Sequence, residues 1–323
     1  MSTTTPGRIT GPALAGIAVN WHCDDEILKL VEAWPSDSRF ELIVVDNSRS
    51  LGGGLVGARL LEPERNLGFG GAVNAALEVT EAPIILILNA DVRPAPAALE
   101  RLIEGLEHHP EASGLAPRLV SADGSTQHRW QLRPIPRSSA LFLQSLMIPA
   151  GQGPADEPSA GTVVEQPAAA AVALRRSALE EIGGFDEEFF PAWFEDVDLA
   201  RRLLMAGRTL VYWPAASFEH RLGATVPKLG YGPFLWTYYR NLGRYLGKHH
   251  SKASAIVARS LTAAAATVRM PLLVLRKPSR AASRREALSG LSELLLGALT
   301  GWKLPRSHSR SPHDEPHSEA SGG

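Results

Sequence analysis

Short apolar stretches and stretches with helical spacing alternate along the first hundred residues. Four apolar-rich stretches predict β-strands: residues 15–21, 40–47, 58–64 and 83–91. Three stretches have the apolar spacing of α-helices: residues 24–34, 69–79 and 94–110. Strands that are apolar on both faces and alternate with helices indicate a parallel sheet covered by helices. The predicted fold class is therefore α/β, with a mostly parallel sheet flanked by helices.

The middle of the chain has a less regular pattern. Residues 114–126 predict a strand and then a turn at Asp123 and Gly124, and residues 162–176 predict a buried strand. The intervening segment 149–161 is rich in proline, glycine and alanine, which is typical of a flexible loop or lid. Three elements are predicted after it: a helix at 198–207, a strand at 209–214 and a loop at 217–226.

From Tyr231 onward the pattern is helical. Residues 231–250 predict an aromatic helix, and residues 286–304 predict an amphipathic one. Arg259 and Arg269 interrupt the apolar stretch between these helices, so it falls short of the roughly 20 apolar residues that a membrane span needs. Four parts are predicted: a disordered N-terminus at 1–13, an α/β domain at 14–230, a helical, basic, amphipathic C-terminal region at 231–304 and a disordered tail at 305–323.

Composition places the chain among ordinary globular proteins. It has 323 residues, 44% of them hydrophobic and 21% charged, with a formal net charge of -1. Its single cysteine, Cys23, excludes an internal disulfide framework and fits a reducing compartment. The first residues lack the apolar core of a signal peptide, so we expect a cytoplasmic protein.

The charge is unevenly distributed. Residues 251–310 contain eleven Lys and Arg residues but only two acids, Glu286 and Glu293. A basic amphipathic helix either packs on the main domain or lies on an anionic membrane surface, and the sequence leaves both open. The basic residues show no aromatic–basic stacking pattern, so we predict no nucleic-acid partner.

Polar side chains follow three of the predicted strands. They are Asn20 after the first strand, Asp46 and Asn47 after the second, and Asn89 and Asp91 after the most apolar one. Ligands of parallel sheets bind at the carboxyl ends of the strands. Asp91 is a plausible ligand for Mg²⁺ or Mn²⁺, which take one or two protein carboxylates together with substrate phosphates. It is also a plausible N-cap of the following helix.

A glycine-rich stretch, RNLGFGGAVNAAL, occupies residues 65–77. Its glycines permit close approach of a ligand to the backbone, or simply a tight loop-to-helix junction. No Gly-Lys-Ser/Thr follows, so it is not a P-loop, and Val73 replaces the last glycine of the dinucleotide fingerprint. A nicotinamide-dependent dehydrogenase is therefore disfavoured.

Three acids, Glu195, Asp196 and Asp198, lie within four positions of WFEDVDLARRLLMAG. Acids in a first helical turn cap the helix and favour its dipole. Only one of the three can cap, however, and the aromatic neighbours would raise the pKa of a carboxyl toward the range of a general base. His220, in SFEHRLG, is a structural residue unless a metal lies nearby.

Taken in order, these pieces resemble the family 2 inverting glycosyltransferases with the GT-A (Rossmann-like) fold. The matching segments span residues 14–226: IAVNW, IVVDNS, RNLGFGGAVNAAL, LILNADV, GGFDEEFF with FEDVDLARRL, and SFEHRLGAT. Within that family the chain looks most like bacterial rhamnosyltransferases that extend cell-surface glycans or lipid-linked sugars.

The resemblance assigns roles to these residues. Asp46 would bind a uracil or thymine base in a pocket lined by Asn20 and Trp21. Arg65 and Asn66 would lie near the nucleotide, with Gly70 behind them. Asp91 and His220 would hold Mg²⁺ or Mn²⁺, and Asn89 stands where the family has the first carboxylate of Asp-x-Asp. Asp196 would be the general base, with Glu195 and Asp198 orienting the acceptor or capping the helix.

The implied reaction is transfer of a sugar, with inversion, from a dTDP- or UDP-linked donor to a hydroxyl group of a glycan or polyprenyl-linked acceptor. Rhamnose from dTDP-rhamnose is the expected sugar, and a peripheral position on the inner face of the cell membrane is the expected location. Two alternatives remain: a UDP-hexose-dependent glycosyltransferase, and a non-catalytic module that binds nucleotide sugars or glycans.

Overall fold

The structure is a computed structural model that describes residues 11–221, 229–275 and 277–303. Its strands are β1 (Leu14–Asn20), β2 (Phe40–Asp46), β3 (Arg59–Leu61), β4 (Ile84–Leu88), β5 (Val92–Pro94), β6 (Gly114–Val120), β7 (Leu132–Arg133), β8 (Val163–Val164), β9 (Gln166–Pro167), β10 (Ala171–Arg175) and β11 (Leu210–His220). Its helices are α1 (Asp24–Ala33), α2 (Gly68–Leu77), α3 (Ala98–His108), α4 (His128–Gln131), α5 (Ser138–Ser145), α6 (Arg176–Glu181), α7 (Glu195–Met205), α8 (Tyr231–His249), α9 (Lys252–Leu272) and α10 (Arg284–Thr300).

Nine of these strands form one sheet. Its order is β3-β2-β1-β4-β10-β6-β11-β5, with β8 also paired to β11. Strands β3, β2, β1 and β4 are parallel to one another, as are β6 and β11, whereas β10 is antiparallel to both of its neighbours. The described chain therefore has the predicted α/β class, with a mostly parallel sheet and helices on its faces.

Alternate residues of the central strands face opposite helical layers, as the twofold period of a strand requires. One layer contains α1 and α3, which pack on strand residues Leu14, Ala18, Leu42, Val44, Leu86 and Leu88. The other contains α2, α6 and α7, which pack on Ala15, Ile17, Ile43, Val45, Ile85 and Ile87. Both faces are apolar because both are covered, which explains the continuous apolar runs in the sequence.

Two predicted elements differ from the structure. The strand predicted at 162–176 is divided into β8, β9 and β10, because Gln166 and Pro167 leave the main sheet to pair with β7. The first four residues of the loop predicted at 217–226 are instead strand, since β11 continues past an irregularity after Trp213 and pairs with β5, and residues 222–226 lie outside the described residues. Both differences bring polar side chains close to the carboxyl ends of the strands.

The described chain separates into two compact units. The first reaches Gln144 and resumes over Pro149–Gly230, and the second contains Ser145–Ile148 and the residues from Tyr231. In the second unit, α8, α9 and α10 share an apolar core that includes Tyr231, Leu235, Ala266, Leu291 and Leu294. None of the described helices has the combination of length and hydropathy that a membrane crossing requires. The predicted disordered tail, and residues 1–10 of the predicted disordered N-terminus, lie outside the described residues.

Candidate active site

Asn20 and Asp46 are the last residues of β1 and β2, and the parallel register places them side by side. Asn20 Nδ2 donates to Asp46 Oδ1 at 2.9 Å. Asp46 is fully buried and also accepts the backbone N–H groups of Ser48 and Leu51. Its carboxylate thus shapes the turn after β2, and the predicted contact of Asp46 with a nucleobase stays a prediction. Trp21, half-buried directly after β1, retains accessible surface for a planar base.

The loop before α2 is held by two asparagines. Asn66 Oδ1 accepts the Gly68 N–H at 2.8 Å, and Asn47 bonds to the backbone of Leu67 and Gly68. Arg65 is exposed on this loop. A Cβ on Gly68 would lie 2.9 Å from Phe190 Cδ2. A Cβ on Gly70 would lie 3.0 Å from Phe185 Cβ, so these glycines allow the segment 185–191 to pack against α2, as expected of a tight loop-to-helix junction.

Asp91 and His220 form a buried pair. Asp91 follows the turn that Asn89 begins after β4, and His220 ends β11, where it pairs with Val92. The distance from His220 Nε2 to Asp91 Oδ1 is 3.5 Å, and the two side chains are 2% and 6% exposed. The sequence predicted these two residues as metal ligands, and the fold brings them together from positions 129 residues apart.

Gln127 fixes the orientation of the His220 ring. Its Nε2 donates to the His220 carbonyl and to Ser121 Oγ, so its Oε1 is the atom that faces His220 Nδ1, at 2.8 Å. A neutral imidazole that donates from Nδ1 presents the lone pair of Nε2. That lone pair and the Asp91 carboxylate then face each other as two electron donors, which is an arrangement that suits a bound cation.

The number of protein ligands that this pair offers is one that Mg²⁺ or Mn²⁺ accepts. No cluster of three or more His, Cys, Asp or Glu residues at metal-binding distance occurs among the described residues. A cation that takes one or two protein ligands and completes its shell with phosphate and water needs no larger cluster. That Asp91 and His220 are metal ligands stays a prediction.

The acidic turn lies at the start of α7, after two residues with left-handed backbone. Trp193 and Phe194 have φ values of 70° and 72°, which are unfavourable for residues with a Cβ. Phe194 occupies the N-cap position, and its side chain makes no cap hydrogen bond. None of the three acids is therefore the N-cap residue, although all three lie in the first turn and Asp196 Oδ1 accepts the first-turn N–H of Val197.

The three acids have different surroundings. Asp198 is inaccessible and bonds to Arg202 Nε at 2.7 Å, so the predicted contact with an acceptor is corrected to a packing role. Glu195 is buried, and its Oε2 has no hydrogen-bond partner in the described part of the chain. Burial, and secondarily the charge of Asp196, raises the pKa of Glu195 well above its usual value. Burial also makes the Glu195 carboxyl less accessible to an acceptor than that of Asp196.

Asp196 is the accessible acid of the three. Its side chain is 17% exposed. Its Oδ1 accepts the Val197 N–H, and its Oδ2 accepts from Gln166 Nε2 at 3.2 Å. Arg133 Nη2 lies 3.7 Å from the same Oδ2. Asp196 is thus the most exposed of the three acids, and its role as general base stays a prediction.

One short segment, residues 127–133, connects the Asp91–His220 pair to the acidic turn. Gln127 at its beginning bonds to His220, and Arg133 at its end approaches Asp196. Between them, the Gln131 carbonyl accepts the N–H of Ala168. Ala168 lies two residues after Gln166, which bonds to Asp196. Gln127, Arg133 and Gln166 were not predicted from sequence, because each acts through residues at least 30 positions away.

Comparison with known proteins gives matches to glycosyltransferases over part of the chain. Residues 25–183 match the family model described as glycosyl transferase family 2. An N-acetylglucosaminyl-diphospho-decaprenol L-rhamnosyltransferase of Mycobacterium tuberculosis is 30% identical over 186 residues, which are 50% of this chain and 58% of that protein. A pre-mycofactocin glycosyltransferase of the same organism is 35% identical over 162 residues, 50% of this chain and 32% of its own length. The matches thus span little more than half of these relatives at most.

A solved structure of GalNAc-T7 with UDP, GalNAc and Mn²⁺ has a similar fold. Its TM-score is 0.53 at 12% identity, and the alignment covers 91% of this chain and 57% of that one. At this identity the likeness concerns the fold alone. Over residues 25–183 the chain is therefore similar to glycosyl transferase family 2.

Proposed function

We propose that this protein is an inverting glycosyltransferase that moves a sugar from a nucleoside diphosphate to a hydroxyl group of a glycan or polyprenyl-linked acceptor. The observation that carries the proposal is the connection of two groups by residues 127–133: the Asp91–His220 pair and Asp196. We assign the reaction to residues 14–230 and the sugar to rhamnose from dTDP-rhamnose, which the rhamnosyltransferase relative supports.

The residues have separate tasks in this reaction. A Mg²⁺ or Mn²⁺ held by Asp91 and His220 would neutralise charge on the diphosphate leaving group. Trp21 offers a surface for the base, and Asp46 keeps the neighbouring turn in shape. Asp196 accepts the proton of the acceptor hydroxyl as its oxygen attacks the anomeric carbon from the face opposite the diphosphate. A single displacement of this kind inverts the anomeric carbon.

Asp196→Asn tests the proposal directly. General-base catalysis contributes about 10²–10⁴-fold, so turnover should fall by at least that range while donor binding is retained. Asp25→Asn, which alters an exposed acid in the first turn of α1, is the matched control and should keep full turnover. Normal turnover by Asp196→Asn would remove Asp196 from the role.

Two further measurements distinguish the two alternative functions. A UDP-hexose-dependent transferase is favoured by the UDP in the GalNAc-T7 structure, and a non-catalytic binding module by Asn89 in place of a carboxylate. A thermal-shift screen of dTDP- and UDP-sugars with Mn²⁺ identifies the donor, because a ligand of the folded state raises its stability. Donor hydrolysis in the presence of Mn²⁺ then separates an enzyme from a binding module.

We also propose peripheral contact with the cytoplasmic face of a membrane through the turn between α9 and α10. Leu272, Val274 and Leu275 are 49%, 75% and 80% exposed there. Four exposed cations follow within ten residues: Lys277, Arg280, Arg284 and Arg285. Exposed aliphatic side chains beside cations are the combination that binds anionic lipid surfaces.

A further inference from the structure

The guanidinium group of Arg93 holds the backbone on both sides of Asp91. Its Nη1 donates to the Ala90 carbonyl at 2.6 Å and to the Val92 carbonyl at 2.8 Å. These carbonyls belong to the residues directly before and after Asp91. The turn also has its own bond, from the Val92 N–H to the Asn89 carbonyl at 3.2 Å. One side chain therefore reinforces the turn that carries the predicted metal ligand.

The second terminal nitrogen of Arg93 connects this turn to helix α1. Nη2 donates to the Glu26 carbonyl and to Glu26 Oε2, both at 2.7 Å. The ion pair is largely buried, with side-chain exposures of 15% for Arg93 and 18% for Glu26. Hydrogen bonds from a planar guanidinium are short and directional, so they fix the position of what they bind. Arg93 thus joins the turn after β4 to the first turn of the helix that follows β1.

The same turn is tied to His220 by a short strand ladder. Val92 is the register partner of His220 where β5 pairs with β11, and the Arg221 N–H donates to the Asp91 carbonyl at 3.2 Å. Strand β5 is only three residues long, so its ladder supplies few bonds. The placement of Asp91 relative to His220 therefore depends on additional bonds, and those of Arg93 lie directly beside it.

Charge alone does not explain an arginine next to a predicted cation site. Two nearby cations repel each other, so the guanidinium by itself would weaken the binding of Mg²⁺ or Mn²⁺ at Asp91. The Glu26 carboxylate, 2.7 Å away, offsets the charge of Arg93. What Arg93 then contributes to the turn is its hydrogen bonds, two to the turn and two to α1.

From this we infer that Arg93 is a positioning residue for the proposed metal site, which sets where the Asp91 carboxylate lies relative to His220. The inference rests on the proposed function, because that function gives Asp91 and His220 a metal to share. Mg²⁺ in particular requires near-ideal ligand geometry, so a small displacement of the carboxylate weakens its binding. Arg93 acts through the backbone of Asp91 and does not itself bind the metal.

The experiment is a titration of Mn²⁺ into the full chain with dTDP or UDP present, followed by electron paramagnetic resonance. Arg93→Met removes the four hydrogen bonds and should weaken Mn²⁺ binding about tenfold or more, the loss typical of an outer partner of a metal ligand. Arg93→Lys keeps the charge but loses the planar fork, so it should not restore the affinity. If the charge of Arg93 were what mattered, Arg93→Met would bind Mn²⁺ more tightly than wild type. Tighter or unchanged binding by Arg93→Met overturns the inference.

Arg175 provides the matched control. It also donates to two backbone carbonyls, those of Leu106 at 2.7 Å and Ala112 at 2.8 Å. It is the register partner of Ile84, the first residue of β4, and so lies at the opposite end of that strand from the candidate site. Arg175→Met should lower the unfolding temperature as Arg93→Met does, and it should keep the Mn²⁺ affinity of wild type. Equal loss of Mn²⁺ affinity in the two variants overturns the inference.

Two further measurements separate this inference from the proposed function. Asp91→Asn should abolish Mn²⁺ binding, and retained binding would remove the metal site from the proposed function and this inference with it. Loss of Mn²⁺ binding in Asp91→Asn but not in Arg93→Met overturns this inference alone. Calorimetry of dTDP or UDP in EDTA reports nucleotide binding without metal, which should be equal in wild type and Arg93→Met. Weaker nucleotide binding by Arg93→Met in EDTA would show that Arg93 acts through α1, and it overturns the inference.

Discussion

Glu195 and Asp196 are neighbours in sequence with opposite environments. Glu195 is buried with an unsatisfied oxygen, whereas Asp196 reaches solvent and accepts from Gln166. Burial raises the pKa of Glu195, so the more exposed Asp196 is the better candidate base of the two. Two adjacent acids thus differ in their environment.

Glu195→Gln should change how stability depends on pH. Because the pKa of Glu195 is raised on folding, the proton stabilises the folded state below its usual pKa of 4.5, and that stabilisation is lost as pH rises toward the folded-state pKa. The free energy of unfolding of wild type relative to Glu195→Gln should therefore decrease between pH 4 and 8, by at most about 1.4 kcal/mol per pH unit. Urea denaturation at a series of pH values measures it.

Glu107→Gln provides the control for this series, since Glu107 is exposed on α3. Its difference from wild type should vary little with pH. A difference between wild type and Glu195→Gln that stays constant from pH 4 to 8 would contradict a raised pKa in the folded state.

Gln127→Leu should weaken divalent metal binding. Without the Gln127 oxygen, nothing described in the structure holds the His220 proton on Nδ1, and loss of such an outer partner typically weakens a metal site about 10- to 100-fold. Titration of Mn²⁺ in the presence of dTDP, followed by electron paramagnetic resonance, measures the change.

Gln131→Leu is the matched control for this variant. Gln131 is another buried glutamine three residues from the start of α4, but it bonds to Pro117 and Leu119 and not to His220. Its variant should lose stability and keep the Mn²⁺ affinity of wild type. Equal loss of affinity in the two variants would mean that Gln127 acts through the fold in general.

At the scale of elements, glycines determine how closely α2 meets the segment 185–191. Gly68 has a φ of 73°, and a Cβ there would lie within 3.0 Å of both Phe190 and the Pro191 carbonyl. The neighbouring N–H of Phe69 donates to that same carbonyl at 2.7 Å. The glycine-rich stretch thus positions the aromatic loop that leads into the acidic turn.

Gly68→Ala should therefore destabilise the protein more than Gly124→Ala. Both glycines are left-handed, which disfavours a residue with a Cβ by about 1–2 kcal/mol, but Gly124 has open space where the methyl group would be. Crowding at Gly68 should add about 1–3 kcal/mol to the loss of unfolding free energy in urea. Similar losses of unfolding free energy for the two variants would show that the segment 185–191 can move to accommodate the methyl group without further loss of stability.

The sequence predicted best those strands and helices that a local pattern of apolar residues determines. Strands β1, β2 and β4 and helices α1 and α3 follow apolar periodicity, and their polar ends indicated Asn20, Asp46 and Asp91. Strands β7 and β9 have two residues each, too few for any period, and they exist because residues 132 and 167 meet in space. His220 was assigned to a loop because Pro214 interrupts the pattern, although Ala216, Phe218 and His220 alternate as buried strand positions.

At the scale of the whole molecule, the second unit carries a net positive charge, which the first unit lacks. Its basic residues are concentrated beside the exposed turn between α9 and α10, where Arg280 also lies over the Phe234 ring at 4.6 Å. The single acid near the turn, Glu286, accepts hydrogen bonds from the backbone N–H groups of Tyr231 and Ala282. The turn therefore presents a net positive surface.

The full chain should float with liposomes that contain anionic lipid and not with neutral ones. Arg284→Glu combined with Arg285→Glu should abolish flotation, since each basic residue near an anionic surface contributes about 1 kcal/mol and reversal replaces attraction by repulsion. Arg39→Glu, a charge reversal on the first unit, should float like wild type. Flotation that is equal for all three proteins would exclude this turn as the membrane contact.

The left-handed backbone at Trp193 and Phe194 lowers the stability of the protein, while the aromatic side chains at these two positions pack at the start of the acidic turn. Glycine or asparagine would relax both positions, and relief of about 1–2 kcal/mol at each is a considerable fraction of the stability of a folded domain. The aromatic side chains would be lost in exchange, and with them their packing at the start of the turn that contains Asp196, the proposed base. Selection for heat resistance alone would thus be expected to erode these two positions first, at the expense of turnover.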